Sequence, residues 1–382
     1  MKKLIALMLA LALCLGLAAC GGGAASNPPA ASNPPAASAP QGGDAETPEA
    51  GYTGESVTIY MATDSNENAD QSAPLRFFRD TVAEKSGGAI TVEVSWGGTE
   101  YDNAGIWEAM TNGLLSMDIC LMNKHTADIP VMAWGFMPYS TNAGEAIEQT
   151  NYLLFENEET SAIIAKYFAD VNMTILGNSC DGAPSFITTF AWDGLDDLVS
   201  KCSAFGTMNT AKYKALGLNC QAVPAPDAYD NLSRGIVDGV SAPLGTAITN
   251  SMYEVAPYAT VDGQYTASVL ILANNDFWNG LSAEAQALIQ ECVDATSEFS
   301  AEYVTSSTQA AAATWEEKTG NAVVFLDEEN GKQFWADTLA AIAANSEANA
   351  AGQAYEEDMK TLLTTWVEYQ EEYHGVDVDW EW

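Results

Sequence analysis

Residues 57–96 read VTIYMATDSNENADQSAPLRFFRDTVAEKSGGAITVEVSW, and this stretch decides the fold class. The β-branched and aromatic run from Val57 to Met61 is typical of a buried strand. From Ala73 to Lys85 the apolar residues recur at helical spacing, and the two glycines that follow end the pattern. Ile90 to Trp96 alternates as a second strand does. This order predicts a βαβ unit, in which parallel strands are covered by helices on both faces.

The same alternation of strands and helices recurs between residues 173 and 240. The longest helical pattern runs from Leu281 to Thr319, with Ser282 as its N-cap and Gly320 as its stop. At 1.5 Å per residue such a helix is about 57 Å long, which exceeds what one small domain needs. We therefore predict an α/β fold in which this helix runs across two lobes.

The composition excludes several classes of protein. The chain has 382 residues, and its 52 Asp and Glu outnumber its 14 Lys and Arg, which gives a formal net charge of −38. Such a surface repels a phosphate backbone, so we expect no nucleic-acid partner. His125 and His374 are the only histidines, so a catalytic triad or a histidine-rich metal site is poorly supplied, and we expect neither a metal nor a cofactor. The 47% hydrophobic content allows a sizeable core, and the length favours two domains over one.

The N-terminus carries an export signal. A short cationic start precedes an apolar run of about 14 residues from Leu4 to Leu17, which is too short to span a bilayer. The sequence LAAC at residues 17–20 resembles the bacterial lipobox, so we expect residues 1–19 to be a lipoprotein signal peptide and Cys20 to carry the lipid. A plain signal peptide with an incidental cysteine is the alternative.

Residues 20–54 are predicted to be a tether. The sequence ASNPPA occurs twice, at 25–30 and 31–36, and Leu, Ile, Val, Phe, Trp and Met are absent from residues 21–54. A segment with so little to bury stays unfolded, and its prolines extend it. Residues 55–382 then form the folded domain, held off the membrane by this tether.

The cysteines that follow Cys20 give no disulfide pattern. They contain no CxxC pair and are odd in number: Cys120, Cys180, Cys202, Cys220 and Cys292. We expect most of them to be small buried hydrophobic residues, and their spacing does not suggest a zinc site.

Three runs in the folded domain resemble a known family. They are VAEKSGGAITVEV at 82–94 with NGLLSMD at 112–118, DAYDNLSRGIVDG at 227–239, and MYEVAPY at 252–258. Their order and spacing resemble the substrate-binding proteins of TRAP transporters, of the DctP type, over roughly residues 55 to 345.

The resemblance implies a two-lobed, periplasmic-binding-protein-like fold in which mixed sheets are flanked by helices. Lobe I would hold about 55–180 and 268–307, and lobe II about 181–267 and 308–382. A member of this family has no catalytic residues; it captures a small molecule by lobe closure and delivers it to a membrane permease driven by an ion gradient. We therefore expect a non-enzymatic protein at the cell surface or in the periplasm, anchored to the cell membrane by lipid.

One departure from the family concerns the ligand. Most members clamp a ligand carboxylate with an arginine, whose planar guanidinium forms two parallel hydrogen bonds. The matching stretch here is DLVSKCSAF at 197–205, and the arginine position falls on Cys202 or Ala204. Lys201 is either a replacement cation or a solvated lysine. Two further positions are small, because Ala242 stands where the family has asparagine and Ala225 where many members have an aromatic residue.

These changes enlarge the pocket and remove charge from it, so we predict a bulkier or less anionic ligand held by stacking and neutral hydrogen bonds. The aromatic residues that could form the pocket wall are Trp96, Tyr101, Trp134, Trp192 and Phe205. Ordinary core packing is the alternative for each of them.

Other classes of protein fit less well. A lipid-anchored binding protein of an ABC importer shares the two lobes and the lipobox, and it would be favoured if the helix from residue 281 were two short ones. Adjacent carboxylates such as Asp196 and Asp197 do not face each other on a helix, so they do not form an acid and base pair. A surface adhesin would fit the tether but would not explain the order of strands and helices.

Overall fold

The strand-helix-strand unit predicted for residues 57–96 opens the folded part of the chain. A computed structural model describes residues 52–382, except 123–124, 137–141, 181, 183, 193–196, 199–200, 202, 206–209, 211–212, 215–216, 224–226, 263–268 and 327–330. Strands Val57–Ala62 and Ile90–Ser95 pair in parallel, and helix Ala73–Lys85 connects them. The predicted βαβ unit is therefore confirmed.

The described residues contain strands and helices in alternation. The strands are β1 Val57–Ala62, β2 Ile90–Ser95, β3 Met117–Leu121, β4 Met173–Ser179, β5 Pro184–Thr188, β6 Ser203–Phe205, β7 Cys220–Ala222, β8 Gly239–Pro243, β9 Tyr258–Val261, β10 Val269–Asn274 and β11 Val324–Phe325. The α-helices are α1 Ala73–Lys85, α2 Asn103–Thr111, α3 Ala143–Asn151, α4 Glu158–Asp170, α5 Ala228–Ser233, α6 Leu244–Thr249, α7 Asn275–Gly280, α8 Ala283–Thr319, α9 Lys332–Ala350 and α10 Glu356–His374. A 3₁₀ segment, Pro130–Phe136, and a π-helix, Tyr152–Glu156, lie on either side of α3.

The sheets are mixed. β1 with β2 and β6 with β7 are parallel pairs. β10 lies between β3 and β4 and runs antiparallel to both. β5 lies between β8 and β9 and is antiparallel to both, while β11 extends β9 in parallel. The parallel arrangement expected from the strand order thus holds only in part, because β10 inserts between two strands that come much earlier in the chain.

The long helix is a single element. α8 runs over 37 residues, the amide of Ala285 donates to the hydroxyl of Ser282 at 3.2 Å, and Gly320 ends the helix with φ 75°. These are the predicted caps. Its N-terminal part packs on α1 and β4, whereas near its C-terminal end Trp315 is fully buried and its indole donates to the carbonyl of Pro257 at 3.1 Å. One helix therefore crosses both halves of the domain.

Polar side chains of α8 bind the outer edge of β4. The amide of Gln290 donates to the carbonyl of Leu176 at 2.9 Å, and the hydroxyl of Ser297 donates to the carbonyl of Asn178 at 2.6 Å. Leu176 lies at a β-bulge, where the register with β10 shifts. Since no strand among the described residues pairs with β4 on this side, the helix supplies the partners that an edge strand otherwise lacks.

Close approach of the helix requires a glycine in β4. A Cβ added to Gly177 would lie 2.6 Å from Cγ1 of Val293, which is closer than real Cβ contacts. The hydroxyl of Ser300 accepts a hydrogen bond from the amide of Cys180 at 3.1 Å, directly after the strand. Gly177 thus allows α8 to lie close against β4 along the length of the strand.

The last two helices pack on different parts of the domain. In α9, Trp335 donates its indole N–H to the carbonyl of Asp262 at 3.1 Å, after β9. In α10, Tyr369 stacks on Tyr152 with ring centroids 4.3 Å apart. After α10 the chain returns to α9, where Trp380 donates to a carboxylate oxygen of Glu347 at 3.1 Å. The acidic C-terminal residues therefore have a packing role, which the sequence did not indicate.

Within residues 52–382, no described helix is both long and apolar enough to cross a bilayer.

Gly177→Ala tests the packing of α8 on β4. The added methyl group meets Val293, so we expect the free energy of unfolding to fall by about 1–3 kcal/mol in urea denaturation. Gly280→Ala is the matched control, since a Cβ there has no heavy atom within 4 Å, and it should change stability by less than about 0.5 kcal/mol. Equal stability of the two variants would show that the helix does not constrain β4 in this way.

Candidate functional site

A cavity of about 350 Å³ lies where several strands end. Residues 62–65 at the end of β1, Ser179 and Cys180 at the end of β4, and Pro243 at the end of β8 line it. Ligands of open α/β folds bind outside the carboxyl ends of strands, because loops with free polar groups converge there. The cavity therefore has the position expected of a ligand site.

The long helix forms one wall. Tyr303, Val304, Ser307 and Thr308 line the cavity, and their spacing places them on one face of α8. The phenol of Tyr303 donates to Oδ1 of Asp70 at 2.9 Å. Burial raises the pKa of Tyr303, the bond to Asp70 raises it further, and the Arg76 guanidinium opposes both effects. The phenol thus stays protonated and keeps its donor role at neutral pH.

Asp70 also faces the opposite wall. A Cβ added to Gly245, in the first turn of α6, would lie 3.5 Å from Oδ2 of Asp70. The carboxylate is therefore placed between α8 and α6.

The described lining is acidic. It contains three carboxylates, those of Asp64, Asp70 and Asp118, and no Lys, Arg or His. Asp118 is buried, whereas Asp64 and Asp70 are exposed. Hydroxyl groups and amides supply most of the other polar atoms of this lining, among them those of Ser72, Asn103 and Ser307. Such a surface favours ligand groups that donate hydrogen bonds or carry positive charge.

The cysteines fit the expectation of small buried residues. Cys120 and Cys180 are buried thiols that line the cavity, and Cys220 and Cys292 are buried elsewhere. Burial raises the pKa of the Cys292 thiol to about 12, and the positive charge of Lys85 opposes this shift. Cys202 lies outside the described residues. Among residues that are described, no group of three His, Cys, Asp or Glu side chains could hold a metal ion.

Two of the predicted aromatic residues lie near the start of the chain's folded part. Trp96 follows β2, and the guanidinium carbon of Arg79 lies 5.9 Å from its ring centroid. Tyr101 is half-buried and packs on the core. Neither residue is part of the cavity lining described above. In the structure, Trp96 and Tyr101 both pack against the hydrophobic core, as the alternative to a pocket wall expects.

The predicted residues of the second half lie apart from the described lining as well. Trp192 is buried edge-on against Phe186, with ring centroids 5.2 Å apart. Lys201 is exposed, and its ammonium lies 5.1 Å from the Phe190 ring centroid. Ala242 lies in β8, directly before Pro243 of the cavity lining.

The remaining predicted residues are only partly described. The backbone of Trp134 lies in the 3₁₀ segment, and those of Ala204 and Phe205 lie in β6. Their side chains, and all of Cys202 and Ala225, lie outside what the structure describes. The predicted roles of these residues therefore stay predictions.

Sequence reasoning missed the polar residues of the wall. Asp70 and Tyr303 are 233 positions apart, so no local pattern joins them. A usable signal was the stripe of Tyr303, Val304, Ser307 and Thr308, whose spacing places them on one face of the long helix.

Comparison with known proteins identifies the family. Residues 61–349 match the family model DctP, described as bacterial extracellular solute-binding protein, family 7. The chain belongs to this family. The resemblance found in its sequence motifs is thereby confirmed.

Two relatives of this DctP-family member bind ectoine, according to their names. The chain is 34% identical over 92 residues to the ectoine-binding periplasmic protein TeaA of Halomonas elongata, covering 24% of the chain and 27% of the relative. It is 25% identical over 195 residues to the ectoine/5-hydroxyectoine-binding periplasmic protein UehA of Ruegeria pomeroyi, covering 50% of the chain and 57% of the relative. The matched regions thus span about a quarter and somewhat over half of these relatives' length.

A solved structure supports the fold. The apo structure of TeaA, the ectoine-binding protein of the TeaABC TRAP transporter, matches with a TM-score of 0.69 at 21% identity and covers 81% of this chain and 99% of that one. The DctP-family chain therefore has the two-lobed α/β fold with mixed sheets and a long spanning helix that its sequence predicted.

Ser307→Phe tests whether the cavity is the ligand site of this DctP-family chain. The larger side chain points from α8 into the lining, so any small molecule that raises the melting temperature of the wild type should no longer do so. Ser306→Phe is the matched control, because Ser306 is the exposed neighbour on the same helix and does not line the cavity. If both variants retain the ligand-induced shift, the ligand binds elsewhere.

Proposed function

We propose that this chain is an extracytoplasmic solute-binding protein that captures a small molecule by lobe closure and delivers it to a TRAP-type permease driven by an ion gradient. The observation that supports this proposal is the cavity at the ends of the strands, in a chain that belongs to the DctP family. One uninterrupted helix, α8, forms a wall of this cavity. An enzymatic role has no support in this arrangement, since the family is named for solute binding.

The ABC-importer alternative is not favoured. It required the helical pattern from residue 281 to consist of two short helices, whereas α8 is continuous from Ala283 to Thr319. The proposed lobes are residues 55–180 with 268–307 and residues 181–267 with 308–382. The last boundary falls within α8, at the level of the cavity wall.

The proposed ligand is not a carboxylate clamped by arginine. The described lining has no Lys or Arg and has three Asp, so a dianion would meet like charges without a counter-charge from these residues. The names of TeaA and UehA point to ectoines, which are zwitterions with no net charge. We propose a neutral, zwitterionic or cation-bearing small solute, for which small residues at Cys202, Ala204, Ala225 and Ala242 leave room.

A thermal-shift panel tests this ligand class. Ectoine, 5-hydroxyectoine, glycine betaine and neutral sugars are compared with succinate and malate at a fixed ionic strength. A true ligand at a hundredfold excess over its Kd adds about 2.7 kcal/mol to the free energy of unfolding, whereas the dicarboxylates should add nothing beyond the effect of salt. A shift with a dicarboxylate alone would refute the proposed ligand class and leave the solute-binding function standing.

Lys201→Ala tests the alternative cation. Lys201 is exposed and lies over Phe190 in the structure, so its removal should leave the affinity for the ligand from the panel unchanged within about threefold by calorimetry. Lys360→Ala serves as a control, since Lys360 is exposed on α10 and does not line the cavity. A tight carboxylate ligand whose binding is lost in the first variant alone would make Lys201 the clamp.

We further propose that the mature chain is a lipoprotein anchored through Cys20. Cys20→Ser in the bacterial host should move the protein from the membrane fraction to the soluble exported fraction, because a stable anchor needs the acyl chains. Cys14→Ser, within the apolar run of the signal, is the matched control and should leave the protein in the membrane fraction. The anchor proposal fails if both variants fractionate as the wild type does.

A further inference from the structure

A second concave surface lies on the outer side of the long helix. It is a groove of about 590 Å³ between α3, the π-helix and α8, and residues 175–177 of β4 form its base. The cavity involves Ser179, the last residue of the same strand, and Cys180, which follows it. The groove and the cavity are therefore separate surfaces built on the same two elements.

The base of the groove is apolar and one side chain stands out from it. Ile147 and Leu176 are each 8% exposed, while Phe155 is 48% exposed. Phe155 belongs to the π-helix Tyr152–Glu156, a geometry that is rare and found often at functional sites. On its other side this π-helix is fixed, because Tyr152 stacks on Tyr369 of α10.

The rim of the groove is negatively charged. Glu148 of α3 and Asp294 and Glu298 of α8 surround the apolar base, and all three are exposed. Asp294 and Glu298 are four residues apart on one helix face, where like charges repel each other. The side-chain amide of Gln290 donates to Asp294 at 2.9 Å, but the described residues that line the groove include no Lys, Arg or His to neutralise the rim.

We propose that this groove docks a short basic segment of a protein partner, with Lys or Arg side chains on the acidic rim and an apolar side chain against Phe155. Charge complementarity selects this occupant, because a second copy of a chain with net charge −38 would bring further negative charge. The tether of residues 21–54 has no Lys or Arg and does not fit either.

The position of the groove gives such docking a consequence. Gln290 and Ser297 line the groove and also hold the carbonyls of Leu176 and Asn178 in β4. A partner in the groove therefore contacts the residues that fix the strand leading into the ligand cavity. The identification of the partner as the extracytoplasmic side of a membrane permease rests on the proposed function, whereas the basic character of the segment rests on the groove alone.

The test uses the folded protein and a synthetic probe. The probe is a fluorescein-labelled amphipathic Lys/Leu peptide of about 15 residues, long enough to form a helix in a groove. Its binding is measured by anisotropy at physiological salt, so that exposed charges are screened beyond about 8 Å. Amide hydrogen exchange in the complex should show protection at residues 144–155 and 290–301.

Two matched pairs of variants give the expected result. The triple Glu148→Gln, Asp294→Asn, Glu298→Gln should weaken binding about tenfold, while Glu84→Gln, Glu316→Gln, Glu317→Gln, with the same net charge, should weaken it less than about threefold. Phe155→Ala should weaken binding about threefold or more, while Leu114→Ala, which removes an exposed leucine elsewhere, should have no effect.

Each other outcome overturns the proposal. Equal losses in the two triples would mean that the peptide senses only the overall negative charge. Concentration-dependent dimerisation in sedimentation velocity that only the groove triple abolishes would make a second copy the occupant. The peptide assay contains no solute, so a negative result in it would not count against the solute-binding function. A negative result in the thermal-shift panel would likewise not count against peptide binding in the groove.

Discussion

The structure depends on the contact between the long helix α8 and the outer edge of β4. An edge strand exposes carbonyls and amides that need partners, and here Gln290, Ser297 and Ser300 supply them. A side chain at position 177 would keep the helix away, so the glycine there is a condition of the contact. Because the helix holds the strand in this way, it also fixes the direction in which residues 179 and 180 leave the sheet. These two residues form part of one wall of the cavity.

The same contact explains why one helix serves two surfaces. Residues three or four apart share one face of an α-helix, and the residues between them point elsewhere. α8 therefore binds β4 with Gln290 and Ser297 on one face and, about two to three turns further along, lines the cavity with Tyr303 and Ser307 on another. The bond from Tyr303 to Asp70 then joins the helix to the loop after β1. The cavity and the outer groove are therefore both built on β4 and α8.

Local signals in the sequence predicted the local structure. Ser282 and Gly320 gave both ends of α8 because caps depend only on nearby residues, and the motifs of residues 82–118 and 227–258 gave the family and the fold. The neighbours of β10 could not be predicted, because it pairs with strands that lie far away in sequence. Large aromatic residues were equally ambiguous: Trp192 packs edge-on in a buried cluster, and hydrophobicity alone does not separate a pocket wall from a core. The hydrogen bond between Tyr303 and Asp70 could not be predicted either, because the two residues are 233 positions apart in the sequence.

The acidity of the chain acts differently at each surface. A uniform net charge of −38 repels anions but does not choose among neutral and cationic solutes, so the choice depends on which polar groups are brought together. In the cavity, three carboxylates lie among hydroxyl and amide groups, which suits a small solute with several hydrogen-bond donors. In the groove, three carboxylates surround an exposed phenylalanine, which suits a peptide. The same excess of acidic residues is thus distributed over two separate surfaces, and the groups that lie beside the carboxylates decide what each surface suits.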